Sequence, residues 1–207
     1  MDKVMQNVKD ALTGKDSSKT ALIILSDGAE EAEVVITADV LNRGGIKVVI
    51  AGFSGDSAVK CCQNVQIKPE MSLDQAADQH EKDPFDIIIL PGGPKGTDNL
   101  KKSVAVGNLL KRQERNCGYI GAICGGPLAL MTHKIGLGKC ITAHKCKWDE
   151  LKEGGTHKVV TSKVCIDGTL ITSQGPGTAF EFGLAIVETL IGPEKISDLR
   201  EDLALKV

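Results

Sequence analysis

The sequence predicts an α/β domain with three layers, in which a mostly parallel, doubly wound sheet lies between two layers of helices. Short apolar segments alternate along the chain with longer amphipathic segments, as strands alternate with helices in such domains. The apolar segments are nearly continuous, which is typical of parallel strands buried on both faces. Right-handed crossovers then place helices on both sides of the sheet. No linker or repeat divides residues 20–207, so we expect one domain there, preceded by a polar extension at residues 1–19.

Glycine and proline residues beside the apolar segments set the limits of the predicted elements. Gly44 ends a helix, Pro91 ends a fully apolar strand, and the pair Asp167-Gly168 is a favoured hairpin turn. In chain order, we predict a strand at 21–25, a helix at 31–43, strands at 46–51 and 65–67, a helix at 73–80, a strand at 86–90, a helix at 103–115, a strand leading to residue 124, a helix ending near 134, hairpin strands at 159–166 and 169–173, a helix at 178–190, and a short helix after 193.

The composition excludes several classes of function. With 25 Lys and Arg against 27 Asp and Glu, the formal net charge is −2, and aromatic residues make up only 3% of the chain. Specific nucleic-acid binding is therefore not expected. No apolar segment approaches the ~20 residues of a membrane span, and the N-terminus has no signal-peptide core. We expect a cytoplasmic protein, with the nucleus or the mitochondrion as alternatives.

Seven cysteines are scattered through the chain, and an odd number does not indicate a disulfide framework. Cys140 and Cys146 flank His144 in sequence, but a fourth ligand and the usual spacing of a zinc site are missing, so we expect no metal. Cys61 and Cys62 follow a glycine-containing turn. We expect them to be exposed or at a sheet edge, where oxidation could reach them.

Cys124 stands where a buried strand turns into a helix, which is the layout of a nucleophile elbow with sulfur in place of the usual serine oxygen. Small residues surround it, and Pro127 pre-sets the backbone for a first helical turn. We expect a strained backbone at Cys124 and a side chain directed into a cleft. Free N–H groups and the positive end of the helix dipole should favour the thiolate.

Ligands of such sheets bind beyond the carboxyl ends of the strands, where three loops should meet: 27–33, 91–99 and 124–127. The first loop carries Glu30, Glu31 and Glu33, and one of these on the inward face would have a raised pKa and could move protons. The pattern does not choose among the three. His144 is the best candidate for a general base, whereas we expect His80 and His157 to be exposed.

Two glycine-rich turns are expected to line the same cleft. The backbone N–H groups of Gly93 and Gly125 would form an oxyanion hole, although a simple tight turn explains the first glycine equally well. A second turn, Ser173 to Thr178, contains Pro176 and is interpreted as a wall of the cleft. Its spacing is not that of a phosphate-binding loop.

Together these motifs resemble the PfpI-like (ThiJ) superfamily, and specifically its parkinsonism-associated deglycase branch, over about residues 20–207. The resemblance rests on four ordered segments: Asp27-Gly28-Ala29-Glu30-Glu31-Ala32-Glu33, Leu90-Pro91-Gly92-Gly93, Ala122-Ile123-Cys124-Gly125-Gly126-Pro127, and Gly175-Pro176-Gly177-Thr178-Ala179-Phe180-Glu181-Phe182. It implies a flavodoxin-like sandwich, a homodimer with the site near the subunit interface, and no cofactor. It also implies that Cys124 is the reactive cysteine, Glu33 its protonated partner and His144 the catalytic histidine.

The resemblance implies conversion of small 2-oxoaldehydes, methylglyoxal or glyoxal, to a hydroxy acid, and repair of glycated adducts. As the alternative function, it implies a non-enzymatic redox sensor or chaperone acting through a Cys124 sulfinate. A cysteine hydrolase is a third hypothesis, but no acid partner for the histidine is evident. The chain departs from the family pattern in three places: Lys145 replaces a proline, and Gln63 and Gln174 replace arginines. Arg43 remains as a candidate cation at the pocket or the dimer face.

Overall fold

The computed structural model describes residues 18–205 of the chain. Its strands are β1 (Thr20–Leu25), β2 (Lys47–Gly52), β3 (Val59–Lys60), β4 (Gln66–Ile67), β5 (Met71–Ser72), β6 (Ile87–Leu90), β7 (Tyr119–Ile123), β8 (Cys140–Ile141), β9 (Lys158–Val159), β10 (Val164–Asp167) and β11 (Leu170–Ser173). Its α-helices are α1 (Glu31–Arg43), α2 (Leu73–Lys82), α3 (Pro94–Lys102), α4 (Val104–Arg115), α5 (Pro127–His133), α6 (Trp148–Gly154), α7 (Ala179–Leu190) and α8 (Ile196–Asp202). Short 3₁₀ turns lie at Lys145–Lys147, Pro176–Thr178 and Pro193–Lys195.

Seven strands form the central sheet in the order β10-β11-β7-β6-β1-β2-β5. All neighbouring strands are parallel except β10, which pairs antiparallel with β11 at one edge. The predicted flavodoxin-like α/β fold is confirmed. Strand order reverses beside β1, whose neighbours are β2 on one side and β6 on the other. The crevice beyond the carboxyl ends of these strands is the place where this class of sheet binds ligands.

The core has two halves, one on each face of the sheet. Along β1, Leu22 and Ile24 pack into one half, and Ile23 and Leu25 pack into the other. All four side chains are fully buried, so the strand reads as a continuous apolar run in the sequence. The helix α1 packs on α7 over the second half. This packing fixes the N-terminal end of α1 at the crevice.

Some predicted boundaries were wrong. Residues 91–99 were expected to be a loop, but a helix, α3, begins directly at Pro94, since a proline is well suited to the first turn of a helix. Helix α6 was not predicted, and the strand predicted at 159–166 is divided, with β9 paired to β8 outside the main sheet. Residues 1–17 of the predicted extension lie outside the described residues. Lys19 is described, and its Nζ lies 2.8 Å from Asp86 Oδ1. Within residues 18–205, no helix is long and apolar enough to cross a membrane.

Candidate active site

The backbone at Cys124 has the strain that the sequence predicts. Strand β7 ends at the preceding residue, and Cys124 has a φ of +62°, a region that residues other than glycine seldom occupy. Its N–H donates to the carbonyl of Ser173 at 3.0 Å, and its own carbonyl accepts from the N–H of His144 at 3.0 Å. Both neighbouring segments therefore hold the elbow in place. Such a conformation costs of order 1–3 kcal/mol and persists where the surroundings enforce it.

Glycine at position 92 makes room for the thiol and a carboxyl group to approach each other. A Cβ atom at this position would lie 2.6 Å from Cys124 Cβ, 2.9 Å from Cys124 Sγ and 2.9 Å from Glu33 Oε2. No side chain fits there without displacing both functional groups. The turn Pro91-Gly92-Gly93 is therefore part of the cleft wall, beyond its role in ending β6.

Glu33 is the carboxyl group that faces Cys124. Its side chain is 1% exposed, and its Oε2 accepts a hydrogen bond of 2.7 Å from the N–H of Gly92. Oε1 is buried and has no hydrogen-bond partner among the described residues. Burial raises the pKa of Glu33 to about 7, and the hydrogen bonds with Gly92 and Cys124 only partly oppose this effect. A large fraction of Glu33 is therefore protonated at neutral pH.

The other two acidic residues of the α1 segment have different partners. Glu31 accepts hydrogen bonds from the backbone N–H groups of Gln63, at 3.0 Å, and Val65, at 3.2 Å. Glu30 Oε2 accepts from the Cys62 thiol at 2.9 Å. The geometry thus makes the choice among the three glutamates that the sequence pattern leaves open.

Burial, together with the charge of Glu33 and a hydrogen bond to it, raises the pKa of Cys124 to about 12. The N–H groups of Gly93 and Gly125 act in the opposite direction but do not outweigh these effects. The N–H groups therefore favour the thiolate, as the sequence predicts, but burial and Glu33 have the larger effect on the pKa. The repulsive charge exists only while Glu33 is ionised, and a protonated Glu33 can instead donate a hydrogen bond to sulfur. A thiolate at Cys124 is therefore less unfavourable while Glu33 carries a proton than while Glu33 is ionised.

His144 lies at the exposed rim of the same cleft. A Cβ atom at Gly175 would be 3.4 Å from His144 Cδ2 and 4.0 Å from Glu33 Oε1, so the ring and the carboxyl group approach this glycine from two sides. Within residues 18–205, the hydrogen-bond partners of the ring belong to Cys146, with no bond to Cys124. The ring thus lies beside the cleft without a hydrogen bond to the sulfur atom of Cys124.

Arg43 does not line the cleft of its own chain. It lies ten residues beyond Glu33 on α1, which is about 15 Å along the helix axis. Its guanidinium group forms ion pairs with Asp39, at 3.1 Å, and Asp202, at 3.0 Å. A role for Arg43 at the dimer face, or at the pocket of a partner subunit, stays a prediction.

Three further residues were predicted to line the pocket or to be sensitive to oxidation. Gln63 is exposed and contacts Glu31 through its backbone, and Pro176 is exposed in the 3₁₀ turn beside Gly175. Cys61 was expected to be exposed, but it is 3% exposed within the second half of the core. Burial and nearby acidic groups raise the pKa of its thiol to about 11. Both effects make Cys61 less reactive than an exposed cysteine.

Sequence reasoning missed Thr97 and misplaced two histidines. Thr97 is 3% exposed, its buried Oγ1 has no partner among the described residues, and a Cβ atom at Gly125 would collide with that oxygen.

His80 and His157 are buried, and each ring has a backbone partner, the N–H of Phe85 for His80 and the carbonyl of Ile135 for His157. The sequence around each of the two histidines is polar and gave no sign of this burial.

One group of side chains outside the cleft has the spacing of metal ligands. Among the described residues, atoms of Glu30, Glu31 and Cys62 lie within 4.8 Å of one another. Glu31 already accepts two backbone N–H groups, and the Cys62 thiol already has a carboxylate partner. We assign no metal to this group.

Comparison with known proteins identifies relatives of the chain. The sequence pattern of the DJ-1/PfpI family matches residues 19–189. The Parkinson disease protein 7 homolog of Danio rerio is 45% identical over 190 residues, which are 92% of this chain and 99% of that protein. The glutathione-independent glyoxalase DJR-1.2 of Caenorhabditis elegans is 46% identical over 190 residues, 91% of this chain and 98% of that protein. The crystal structure of Drosophila melanogaster DJ-1beta has a TM-score of 0.87 and 45% identity, covering 92% of this chain and 100% of that chain. The chain therefore belongs to the DJ-1/PfpI family.

Proposed function

We propose that the protein is a glutathione-independent glyoxalase that converts methylglyoxal or glyoxal to the corresponding hydroxy acid. The observation that carries this proposal is the pair of buried Glu33 and half-buried Cys124 beside the N–H groups of Gly93 and Gly125. A 2-oxoaldehyde needs a nucleophile for its aldehyde carbon and an acid–base group for the neighbouring carbon. This pair supplies both, and a relative with 46% identity carries the name of that activity.

The first step is addition of sulfur to the aldehyde. The Cys124 thiolate forms a C–S bond with the aldehyde carbon while the carbonyl π electrons move to oxygen. The N–H groups of Gly93 and Gly125 stabilise that oxyanion. Protonated Glu33 donates to the same oxygen, giving a hemithioacetal and an ionised carboxylate.

The second step moves hydrogen between adjacent carbons. A carboxylate at Glu33 removes the proton from the carbon bonded to sulfur, and an enediol forms. Return of a proton to the neighbouring carbon gives a thioester of Cys124 with a 2-hydroxy acid. His144, at the rim, exchanges protons with the two substrate oxygens. Water then hydrolyses the thioester, so the net reaction is the addition of one water to the 2-oxoaldehyde.

His144 gives the experiment that tests this proposal. Freshly reduced protein, treated with a chelator and free of glutathione, should form lactate from methylglyoxal. We expect His144→Ala to reduce the rate by roughly 10²–10⁴, the usual effect of losing a general acid–base group. Lys145→Ala is the matched control, since this exposed neighbour should leave the rate within about twofold. Absence of lactate formation by the unmodified protein would contradict the enzyme proposal.

A redox sensor acting through Cys124 is the second candidate function. The Glu33 side chain is hydrogen-bonded with Cys124, and its buried Oε1 has no hydrogen-bond partner among the described residues, so a protonated carboxyl could bond to an oxygen added to sulfur. Sensing needs Cys124 and Glu33 but should tolerate loss of His144. If His144→Ala leaves peroxide oxidation of Cys124 unchanged and the unmodified protein has no glyoxalase activity, the sensor is favoured. Deglycase and chaperone activities stay predictions.

The protein is also proposed to be a homodimer formed through α1. This helix buries Val34 and Val40 in its own chain, yet Val35 is 52% exposed. A two-fold copy of the same helix would cover that side chain. We expect sedimentation at micromolar concentration to report about twice the chain mass of 21.9 kDa, and Val35→Asp to give a monomer. Val104→Asp, at a valine 75% exposed on α4, is the control that should stay dimeric. A monomeric unmodified protein would contradict the interface.

A further inference from the structure

Cys146 and His144 form a second pair of a nucleophile and a base, at the rim of the cleft and separate from Cys124. The Sγ atom of Cys146 lies 3.0 Å from Nδ1 of His144. That distance is within the range at which a histidine accepts the proton of a neighbouring thiol. Cys146 is exposed, and Cys117 is the other exposed cysteine of residues 18–205.

The hydrogen bonds of the loop determine which ring nitrogen faces the thiol as an acceptor. The backbone N–H of Cys146 donates to Nδ1 of His144 at 3.3 Å. Because an amide N–H can only donate, Nδ1 carries the lone pair and the neutral ring carries its proton on Nε2. The opposite edge of the ring, with Cδ2, lies towards Gly175. Nδ1 is therefore free of a proton on the side where the thiol lies.

The loop that carries the pair is held in place from both ends. The indole N–H of Trp148 donates to the carbonyl of Ala143 at 2.8 Å, and the N–H of Lys147 donates to the carbonyl of His144 at 2.8 Å. Lys145 and Lys147 flank the thiol in sequence, so a cationic residue stands on each side of it along the chain. Exposure, a base in contact and nearby cations are the conditions under which cysteines react.

We propose that Cys146 is a second reactive thiol, with His144 as its proton acceptor, and that peroxides and alkylating electrophiles modify it. With hydrogen peroxide, the thiol proton moves to Nδ1 and the sulfur attacks one peroxide oxygen. The O–O bond breaks, and the leaving hydroxide takes the proton from the imidazolium ring. The products are Cys146 sulfenic acid and water. Where His144 has the role proposed above, this modification also disturbs the histidine that serves the cleft.

Alkylation kinetics in a Cys124→Ser background test the pair without any dependence on turnover. The protein is treated with limiting iodoacetamide at pH 7, and peptide mapping follows the occupancy of each thiol. We expect Cys146 to react at least about tenfold faster than Cys117, the matched exposed thiol without a histidine partner. His144→Gln should lower the Cys146 rate to that of Cys117, whereas Lys145→Ala should keep most of it.

Two outcomes would overturn the inference: equal rates for Cys146 and Cys117, or a Cys146 rate unchanged by His144→Gln. Cys61 reports on folding in the same samples, because this buried thiol stays unlabelled only while the core is intact. If His144→Gln exposes Cys61, that variant is set aside. The Cys124→Ser protein, with or without Lys145→Ala, still gives the ratio of the Cys146 alkylation rate to the Cys117 alkylation rate. Since no substrate is present, a failure of the glyoxalase proposal would leave this result unaffected.

Discussion

Replacing Cys124 with serine is expected to reduce lactate formation from methylglyoxal by at least about 10³-fold, to the level of the reaction without protein. A serine hydroxyl has a far higher pKa than a thiol and is a weaker nucleophile without a strong base beside it. Glu33, with a pKa of about 7, is not such a base, and the His144 ring bonds to Cys146 instead. The measurement is lactate formed under chelated, glutathione-free conditions.

The control for this substitution is Cys117→Ser, since Cys117 is also a free cysteine but is exposed and lies before β7, at the opposite end of that strand from Cys124. We expect it to keep full turnover. The Cys124→Ser protein should keep its fold, because sulfur-to-oxygen replacement leaves the backbone bonds to Ser173 and His144 intact. Measurable turnover by Cys124→Ser, above that of a heat-inactivated sample, would assign the chemistry to another nucleophile.

The fold was predictable because its strands are buried on both faces. Runs such as residues 21–25 and 86–90 have no polar position, and this pattern by itself indicates a parallel sheet between helices. The errors occurred where a local signal has two meanings. Pro91 to Pro94 contains both a strand end and a helix start, and only the packing of α3 against α5 distinguishes a loop from a helix there.

The candidate site was predictable in its members but not in its electrostatics. The tight turn from strand to helix at Cys124 leaves room only for small neighbouring residues, and these residues can be recognised in the sequence. The same turn gives Cys124 its positive φ. The pKa values of Cys124 and Glu33 depend instead on how completely both are buried, which the local sequence does not record. Cys61 was misjudged for the same reason, because contacts between distant segments bury it. The contact of Cys146 with His144 depends on one turn of the backbone between them.

The pH dependence of stability provides the second large effect, through Glu33→Gln. Burial raises the pKa of Glu33 from 4.5 to about 7 in the folded protein. Below pH 4.5 the group is protonated in both states and does not affect the free energy of unfolding. Between pH 4.5 and 7 the unfolded chain releases this proton while the folded chain keeps it, so stability falls as the pH rises. Above pH 7 the full cost is present, roughly 3 kcal/mol.

Glutamine keeps the shape of this side chain and removes the titration. Its amide oxygen can accept the hydrogen bond from Gly92, and its NH₂ group can donate to sulfur, but it cannot release or take up a proton. We therefore expect Glu33→Gln to be more stable than the unmodified protein at pH 8, with the advantage shrinking towards zero near pH 4.5. Its glyoxalase activity should fall by roughly 10²–10⁴ at every pH, because proton transfer is lost.

Urea unfolding at pH 4.5 and pH 8 measures the stability difference, and Glu31→Gln is the matched control on the same helix. Although burial opposes it, hydrogen bonds from the backbone N–H groups of Gln63 and Val65 lower the pKa of Glu31. The ionised Glu31 carboxylate stabilises the protein at pH values above the pKa that Glu31 has in the unfolded chain. This effect is lost as the pH falls through the lower pKa of Glu31 in the folded protein, so Glu31→Gln should be less stable than the unmodified protein at pH 8. Opposite signs for two glutamates two residues apart would show that burial not offset by hydrogen bonds, rather than position on the helix, sets the cost at Glu33. A pH-independent difference for Glu33→Gln would mean that Glu33 is ionised in the folded protein, and the proposed proton donor to the hemithioacetal would then be absent.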